Sequence, residues 1–393
     1  MSDAAPLPSS AAVARLLWEA CRRHVDREAV RAAAAACGPR LEAAVGPAVD
    51  QRLGPLLGRA LRLAGWRVPD ELGALAAVQR AEAQLVLPRA LRLALDPLGD
   101  AGLEPVVMKG PAVAARYPEP GLRPMEDIDV LLPRPFHGRA LEALRGAGWR
   151  VARPRAGGHY DTVLCHRAVP LALELHHGLQ SWYERAHTLG PDELWARRVP
   201  DARLGGAAWG LPLEHEIVLL AAHAGKPHHG FARMVWIADL AMVVGHGPAV
   251  DWERVASVAR RTRSATVVAT ALALARRAGV EAPASLFPLP VGGWRRAALE
   301  RVLDPGWPLE RDRVPTFHLR FALADTVWRR AVLLAGSAHE QQSRRRRLAW
   351  PVLAAGQATA RWRGLRPGRG RRPPDPAPDP RAPDARNPSV LSA

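Results

Sequence analysis

Short apolar runs alternate with helical stretches over residues 103–176, and this alternation constrains the fold more than any other feature of the sequence. Apolar runs of strand length, bounded by turn residues, predict strands. Pro111 suits the first turn of a helix, and a second helix is predicted over 135–145. The predicted order is β-α-β-α-β-β-β, which indicates an α+β fold with a small mixed sheet. The five predicted strands are Pro105–Met108, Asp127–Leu132, Trp149–Arg153, Tyr160–Cys165 and Leu171–His176.

Helical patterns flank this region on both sides. Before residue 95 the apolar residues recur at three- and four-residue spacing, with Pro69 and Pro88 as predicted interruptions. After Pro191 the same spacing returns, and Asp251 is well placed to cap a helix. The three main helices predicted there are Leu213–Ala224, Phe231–Val244 and Trp252–Ala278.

The end of the chain has a different composition. From Pro367 onwards it is too rich in proline and too poor in apolar residues to form a core, so we predict a disordered tail. A length of 393 residues suits two domains, or one domain with a helical extension. The predicted organisation is an N-terminal helical region at 1–99, a mixed-sheet core at 100–185, a C-terminal helical region at 186–362 and a disordered tail at 363–393.

The composition excludes several classes of protein. Hydrophobic residues make up 48% of the chain and charged residues 24%, as in ordinary globular proteins. No apolar run approaches the roughly 18 residues of a membrane span, and the amino terminus lacks the features of a secretory signal. The three cysteines show no CxxC spacing, which argues against a disulfide framework and a cysteine zinc site. We therefore expect a cytoplasmic protein without a membrane span.

The formal net charge of +17 is unevenly distributed. From Arg344 to the end there are twelve arginines and three aspartates, a surplus of nine. Such a segment is typical of a solvated tail or of one that binds nucleic acid or a membrane. Nearly all positive charge is arginine, since the chain has just two lysines, Lys109 and Lys226. An ammonium and a guanidinium are not interchangeable, so these two positions are candidates for a specific role.

Two aspartates lie two residues apart in the second predicted strand. Because side chains alternate across a strand, Asp127 and Asp129 point to one face of the sheet, while Ile128 and Val130 point to the other. Neighbouring carboxylates repel each other unless a cation lies between them, and oxygen ligands of this kind suit Mg²⁺ or Mn²⁺. Two solvated aspartates on a surface strand would show the same spacing.

Glu174 lies in the apolar strand Leu171–His176, where a buried carboxylate needs a partner. If this strand lies beside the strand of Asp127, the three acids form a two-metal site of the kind that supports an in-line displacement. A salt bridge would satisfy Glu174 equally well. His176 and His177 follow directly, and they fit a metal-binding or orienting role as well as simple local hydrogen bonds.

A strand-to-helix turn precedes the aspartates at Lys109 and Gly110. Backbone N–H groups at a helix amino terminus, with a lysine beside them, favour an anion. The pattern is not that of a P-loop, because G-x-x-x-x-G-K-[ST] is absent. Lys109 and Arg123 are therefore candidates to bind the phosphates of a nucleotide, with a solvated basic side chain as the alternative for each.

The segments MKGPAVAARYPEPGLRPMEDIDVLL and LALELHHGL together resemble the uncharacterised nucleotidyltransferase family of bacteria, distant members of the polymerase-beta-like nucleotidyltransferase superfamily. The resemblance covers residues 100–180 and implies a palm-like αβ core. It also implies transfer of a nucleoside monophosphate from an NTP, such as ATP, to an acceptor, with release of pyrophosphate. In the wider superfamily a Gly-Gly or Gly-Ser turn precedes the first acids, whereas this chain has Lys109-Gly110.

The resemblance extends to AAHAGKPHHGFARMVWIADLA, which is similar to the family's H-x-x-K-H…R-x-x-W-x-x-D segment with two residues inserted before His229. It implies that this segment lines the active site or the acceptor side, with Lys226 near the phosphates. From the residues alone, Arg233 and Asp239 fit equally well a structural pair that joins the helices to the sheet. The residues carried over are His223, Lys226, His229, Arg233 and Asp239.

The predicted function is thus that of a Mg²⁺- or Mn²⁺-dependent nucleotidyltransferase in which Asp127, Asp129 and Glu174 bind the metals. The acceptor stays open among peptide, protein, small molecule and RNA. A nucleotide-sugar glycosyltransferase is a second hypothesis, because such enzymes also use a D-x-D to bind a metal on a diphosphate. A third, non-enzymatic hypothesis is an RNA- or membrane-binding protein that acts through the run Arg344–Arg347 and the basic tail.

Overall fold

The computed structural model describes residues 7–152, 160–179, 187–205, 208–226, 229–290, 292–310 and 317–334. All of them belong to one compact unit that ends at His339. The predicted disordered tail and the run Arg344–Arg347 lie outside the described residues. No described helix has both the length and the apolar composition needed to cross a bilayer.

Six α-helices precede the sheet in the described part of the chain. They are α1 (Ser10–Ala20), α2 (Arg27–Ala36), α3 (Val45–Asp50), α4 (Gly54–Leu63), α5 (Asp70–Ala81) and α6 (Leu87–Asp100). Pro69 directly precedes α5, as predicted. Pro88 does not interrupt the helices, because it lies in the first turn of α6 and a π-helical turn, Glu82–Val86, continues α5 into it.

The described residues form one seven-stranded mixed sheet, and the α+β class is confirmed. Its strands are β1 (Val106–Met108), β2 (Asp127–Leu131), β3 (Arg150–Val151), β4 (Asp161–His166), β5 (Val169–His176), β6 (Val199–Pro200) and β7 (Trp209–Gly210). They lie in the order β3-β4-β5-β2-β1-β7-β6. Each of the five predicted strands is present, joined by α7 (Gly110–Ala114) and α8 (His137–Gly146) between the first three.

Strand β2 lies in the middle of the sheet and is hydrogen-bonded on both sides. It pairs antiparallel with β1 and parallel with β5. The two short strands β6 and β7, which the sequence did not predict, extend the sheet beyond β1, where β7 pairs parallel with it. A short helix, α9 (Pro191–Ala196), precedes them. The central strand is therefore the one that carries the two aspartates.

Helices cover both faces of the sheet. On one face, Ile128 and Val130 of β2 pack with Leu173 of β5 and with apolar residues of α6 and α8. On the other face, Met108 and Leu131 belong to a larger apolar cluster that includes the N-terminal helices and the C-terminal helices. Since side chains alternate along β2, its aspartates lie on this second face.

The C-terminal helices are α10 (Leu213–Ala224), α11 (Met234–Val244), α12 (Trp252–Arg261), α13 (Ala265–Ala275), α14 (Gly293–Val302), α15 (Trp307–Glu310) and α16 (Phe317–Leu323). Asp251 caps α12 as predicted, accepting from the N–H of Arg254. The single helix predicted over 252–278 is wrong, because Arg263 has a left-handed φ of 52° and the chain restarts as α13. Likewise, α11 begins three residues later than predicted, because Phe231 has a φ of 57°.

Candidate functional site

Two parallel strands bring the third acid to the aspartate pair. In the register of β2 and β5, Asp129 lies opposite Glu174, and Asp127 lies opposite Ala172. Residues directly opposite each other in neighbouring strands point to the same face. The carboxylate of Glu174 therefore lies beside that of Asp129, which is the arrangement that the predicted three-acid site requires.

His176, at the end of β5, lies against both of these carboxylates. Its Nε2 is 2.7 Å from Asp129 Oδ1 and 3.3 Å from Glu174 Oε2. One ligand atom of each of the three residues lies within 4.8 Å of the others. The side chain of His176 is 2% exposed and that of Asp129 5%, whereas that of Glu174 is 25% exposed, so Glu174 forms the accessible side of the group.

Hydrogen bonds between the acids and their basic partners shift the pKa of each side chain in this group towards its charged form. Burial alone would raise the pKa of Asp129, but Lys109 and His176 hold it well below its usual value. The hydrogen bond from His176 lowers the pKa of Glu174, in spite of burial. Burial and the charge of Lys109 oppose the imidazolium form of His176, yet its bonds to the two carboxylates raise its pKa above the ordinary value. Asp129 is therefore the firmly ionised member of the group.

Asp127 has the opposite character. Burial, together with the charges of Asp129 and Glu174, raises the pKa of its carboxyl group to about 6, and Lys109 and Arg123 offset this in part. Its negative charge is thus poorly compensated by the protein. A carboxylate in this situation gains more from a bound cation than one that already has a partner.

Lys109 lies at the turn between β1 and α7 with a φ of 48° and a ψ of −117°. Glycine adopts such a conformation far more readily than residues with a side chain. Its Nζ lies 2.5 Å from Asp129 Oδ1. Burial alone would lower the pKa of Lys109, but Asp129 and the two other acids raise it. At the next residue, a Cβ on Gly110 would lie 3.3 Å from the carbonyl oxygen of Asp127, so this turn packs closely on β2.

A narrow cleft with a cavity of about 10 Å³ opens between the sheet and α10. Both lysines of the chain line it, and the Nζ of Lys226 lies 5.2 Å from the ring centre of Tyr160. Burial and the charges of the two lysines hold the pKa of His223 well below its usual value, so this imidazole is neutral. The basic residues of the described lining, which includes no carboxylate, are Lys109, His176, His187, His223 and Lys226.

Arg123 and Asp239 form a buried ion pair between the sheet region and α11. The guanidinium donates from two nitrogens to the two carboxylate oxygens, at 2.8 and 2.9 Å. The hydroxyl of Tyr117 also donates to Asp239 Oδ1, at 2.7 Å. The pair raises the pKa of Arg123 despite its burial. These contacts join α11 to the segment that leads into β2.

His229 and Arg233 both lie next to the aromatic ring of Trp236. The ring of His229 stacks on Trp236 with a 4.2 Å separation of the ring centres, and its Nδ1 lies 2.7 Å from the carbonyl oxygen of His223. The guanidinium of Arg233 lies 5.8 Å from the ring centre of Trp236. These side chains extend the wall that begins with His223.

The donor set fits a divalent cation. Two carboxylates and an imidazole converge from one face of the sheet, and the uncompensated charge of Asp127 lies on the same strand as Asp129. Carboxylate oxygens suit Mg²⁺ and Mn²⁺, and an imidazole nitrogen suits transition metals. The residues present can therefore hold such a metal without any rearrangement of the strands.

A family model described as "Uncharacterised nucleotidyltransferase" matches residues 41–278, more than half of the chain. The chain belongs to this family. The match includes every residue of the candidate site and supports a general nucleotidyltransferase activity with a nucleotide as substrate. No curated protein and no solved structure matches the chain.

Two contacts of this nucleotidyltransferase were missed by the sequence interpretation. His176 was left with an open role, although the alternation that places Glu174 on the acidic face also places His176, two residues later, on that face. The signal was therefore in the sequence. Tyr117 carries no comparable signal, because its contact with Asp239 spans 122 residues and depends on how α11 packs.

Proposed function

We propose that this nucleotidyltransferase moves a nucleoside monophosphate from an NTP to an acceptor, releases pyrophosphate and depends on divalent metal. The observation that carries the proposal is the register of β2 and β5, which adds Glu174 to the Asp127–Asp129 pair. The family match across residues 41–278 supplies the reaction class.

In the proposed site, Asp127, Asp129 and Glu174 bind the cations. A divalent metal there would neutralise charge on the phosphates and activate the attacking oxygen. Asp129 is ionised over the whole physiological pH range, because Lys109 and His176 depress its pKa. Glu174 is the most exposed acid of the ligand group, and we assign to it acceptance of the proton from the acceptor's nucleophile.

The basic cleft next to the acids is the proposed binding place of the phosphates, and because its cavity of about 10 Å³ holds about one water, we propose that the cleft widens when the nucleotide enters. Lys109 reaches the acids and the cleft at once, while Lys226 lines the cleft from the end of α10. Ammonium groups with low exposure to water stabilise phosphate charge more strongly than groups in bulk solvent. His223 and His229 form the adjoining wall, which we assign to the acceptor side together with Arg233.

Arg123 and Asp239 receive a different assignment. Both oxygens of Asp239 accept hydrogen bonds from Arg123, so the guanidinium is already engaged within the protein. We therefore propose that this pair is structural and positions α11 against the acidic strand, rather than binding nucleotide directly.

The test is calorimetric titration of each of the four NTPs, with Mg²⁺, with Mn²⁺ and with a chelator. The variant of choice is Asp127→Asn, because Asp127 is the acid whose charge the protein compensates least. Asp129→Asn is less informative, since an unpaired Lys109 in the interior would cost about 3–5 kcal/mol of stability. Asp70→Asn is the matched control, because that side chain is 93% exposed.

We expect wild type and Asp70→Asn to bind at least one NTP in the presence of metal and not with the chelator, and Asp127→Asn to lose this binding. The absence of binding to every NTP under both metals, by wild-type protein with a folded circular dichroism spectrum, would refute the proposal. Binding of a nucleotide sugar in that case would favour the glycosyltransferase hypothesis.

A further inference from the structure

We infer that His176 is a nitrogen ligand of the metal and that the site consequently prefers Mn²⁺ to Mg²⁺. This inference rests on the metal site of the proposed function and deepens it. The sequence pattern indicated oxygen ligands alone, whereas the described residues place an imidazole between two of the carboxylates.

The distances fit a shared coordination shell. Ligands at about 2.1 Å from a metal, at right angles to each other, lie on the order of 3 Å apart. The Nε2 of His176 lies 2.7 Å from Asp129 Oδ1 and 3.3 Å from Glu174 Oε2. Nε2 thus already has the separation of a neighbouring ligand from one oxygen of each carboxylate, and it is the atom of His176 that faces them.

The ring is held in this place by its surroundings. The carbonyl oxygen of His176 accepts a hydrogen bond from the N–H of Leu132 at 2.9 Å, which fixes the backbone beside β2. The ring of Tyr160 stacks on the imidazole with ring centres 5.9 Å apart and an interplanar angle of 17°. A ligand whose position is set before the metal arrives loses little conformational entropy when it binds.

The second ring nitrogen also points to a ligating role. His176 is 1% exposed, and its Nδ1 has no hydrogen-bond partner among the described residues. When Nε2 binds a metal, the ring proton is carried by Nδ1, which then needs an acceptor. His176 lines the basic cleft, whose cavity of about 10 Å³ has room for about one water, so the acceptor we assign is a water molecule in that cavity.

An imidazole ligand changes the choice of metal. Mg²⁺ favours oxygen ligands and an octahedral shell rich in water, whereas transition-metal ions accept imidazole nitrogen, and among them Mn²⁺ also suits the carboxylates of this site. A histidine that only oriented the two acids through hydrogen bonds would leave an all-oxygen site without this preference. The two roles of His176 therefore predict different metal preferences, which can be measured without an activity assay.

The experiment is pulsed electron paramagnetic resonance of Mn²⁺ bound to the full-length protein, in a nitrogen-free buffer and without nucleotide. We expect a ¹⁴N modulation in the wild-type electron spin echo, which converts to the ¹⁵N pattern when the protein is made with ¹⁵N-histidine. This measurement needs no variant, so bound Mn²⁺ without ¹⁴N coupling would overturn the inference even if a substitution at the buried position fails to fold.

The variant His176→Gln tests whether the nitrogen coupled to Mn²⁺ belongs to His176. The variant His177→Gln, at the neighbouring residue, is the matched control. We expect His176→Gln to lose the modulation and to bind Mn²⁺ at least ~10-fold more weakly, with a smaller effect on Mg²⁺, and His177→Gln to keep both. Mn²⁺ bound without ¹⁴N coupling, or coupling that survives in His176→Gln, would overturn this inference and leave the proposed function standing. Failure of wild type to bind Mn²⁺, alone or with any NTP, would overturn both.

Discussion

At the scale of single residues, the backbone conformation of Lys109 lowers the stability of the fold at the site. A residue with a side chain at a φ of 48° and a ψ of −117° carries backbone strain on the order of 1–3 kcal/mol. The turn nevertheless holds one of the two lysines in a chain with 55 basic residues. The ammonium that it delivers lies against Asp129 and at the mouth of the basic cleft.

We predict that Lys109→Met and Lys109→Arg both weaken NTP binding about 10- to 100-fold, as expected for the loss of a charge-assisted hydrogen bond. Methionine lacks the charge, and a planar guanidinium cannot take the place of the compact ammonium that lies buried against Asp129. Calorimetric titration with the preferred NTP and metal measures the effect.

Lys226→Arg is the comparison for this prediction. The Nζ of Lys226 lies 5.2 Å from the ring of Tyr160, and a guanidinium can maintain such a contact. Its effect should therefore be smaller than that of Lys109→Arg. Wild-type affinity in Lys109→Arg would contradict a specific need for lysine at the turn.

The acids could be placed from the sequence, because alternation along a strand is a local property. The period of two assigned Asp127 and Asp129 to one face, and the strand that carries Glu174 was identified by its apolar neighbours. The pairing of β2 with β5 and the burial of Lys109 depend on contacts between distant segments. Local patterns contain no information on such contacts, so Tyr117 went unnoticed, and alternation gives the face on which His176 lies but not its contact with Asp129.

At the scale of elements, the ion pair between α11 and the segment before β2 bears on two roles that the sequence left open for Arg123, a structural contact and a phosphate contact. The Arg123–Asp239 pair is buried and is completed by Tyr117. If the pair only sets the position of α11, its loss lowers the stability of the fold. If Arg123 contacts phosphate directly, its loss lowers the affinity for the nucleotide. The two effects can be measured independently.

We predict that Asp239→Asn lowers the free energy of unfolding by about 3–5 kcal/mol, because it leaves the guanidinium of Arg123 buried without an opposite charge. The double variant Arg123→Met/Asp239→Asn removes both charges and retains an oxygen for the hydroxyl of Tyr117, so it should recover most of this loss. Chemical denaturation monitored by circular dichroism gives the values.

The affinity of the same double variant for NTP decides the role of Arg123. We expect wild-type affinity once the fold is restored, because the pair is structural. A stable double variant with strongly reduced NTP binding would instead return Arg123 to the nucleotide site.

The features that the sequence analysis did not predict are two very short strands and a helix boundary that depends on the backbone angle of one residue. Strands β6 and β7 have two residues each and include Pro200 and Gly210, so neither shows an alternating pattern. The division between α12 and α13 occurs at Arg263, within the polar run 260–264, which the prediction treated as part of one continuous helix. Hydroxyl groups of Thr262 and Ser264 bond to backbone carbonyls there and compete with the helix, an effect that periodicity does not reveal.

At the scale of the whole molecule, about half of the excess positive charge lies in a different part of the chain from the candidate site. The surplus of nine charges after Arg344 lies beyond the compact unit that ends at His339. Every residue assigned to metal, phosphate or acceptor lies before that point. The nucleotidyltransferase hypothesis and the basic-tail hypothesis therefore concern separable segments.

We predict that truncation after His339 leaves metal-dependent NTP binding unchanged, because no assigned contact involves the removed residues. Any salt-dependent binding of RNA should decrease with the loss of the arginines. Calorimetry with NTP, and RNA titrations at two salt concentrations, test both parts. Loss of NTP binding by the folded truncated protein would show that the tail contributes to the site.

The central position of β2 has a consequence for motion. A strand bonded to β1 on one side and to β5 on the other cannot shift without breaking two ladders at once. Amide hydrogens of Ile128 and Val130 should accordingly be among the slowest to exchange, and the acids next to them keep their spacing through a catalytic cycle. Any movement that admits a nucleotide to the cleft then falls to α10, which lines the side of the cleft opposite the sheet, while the acidic strands stay fixed.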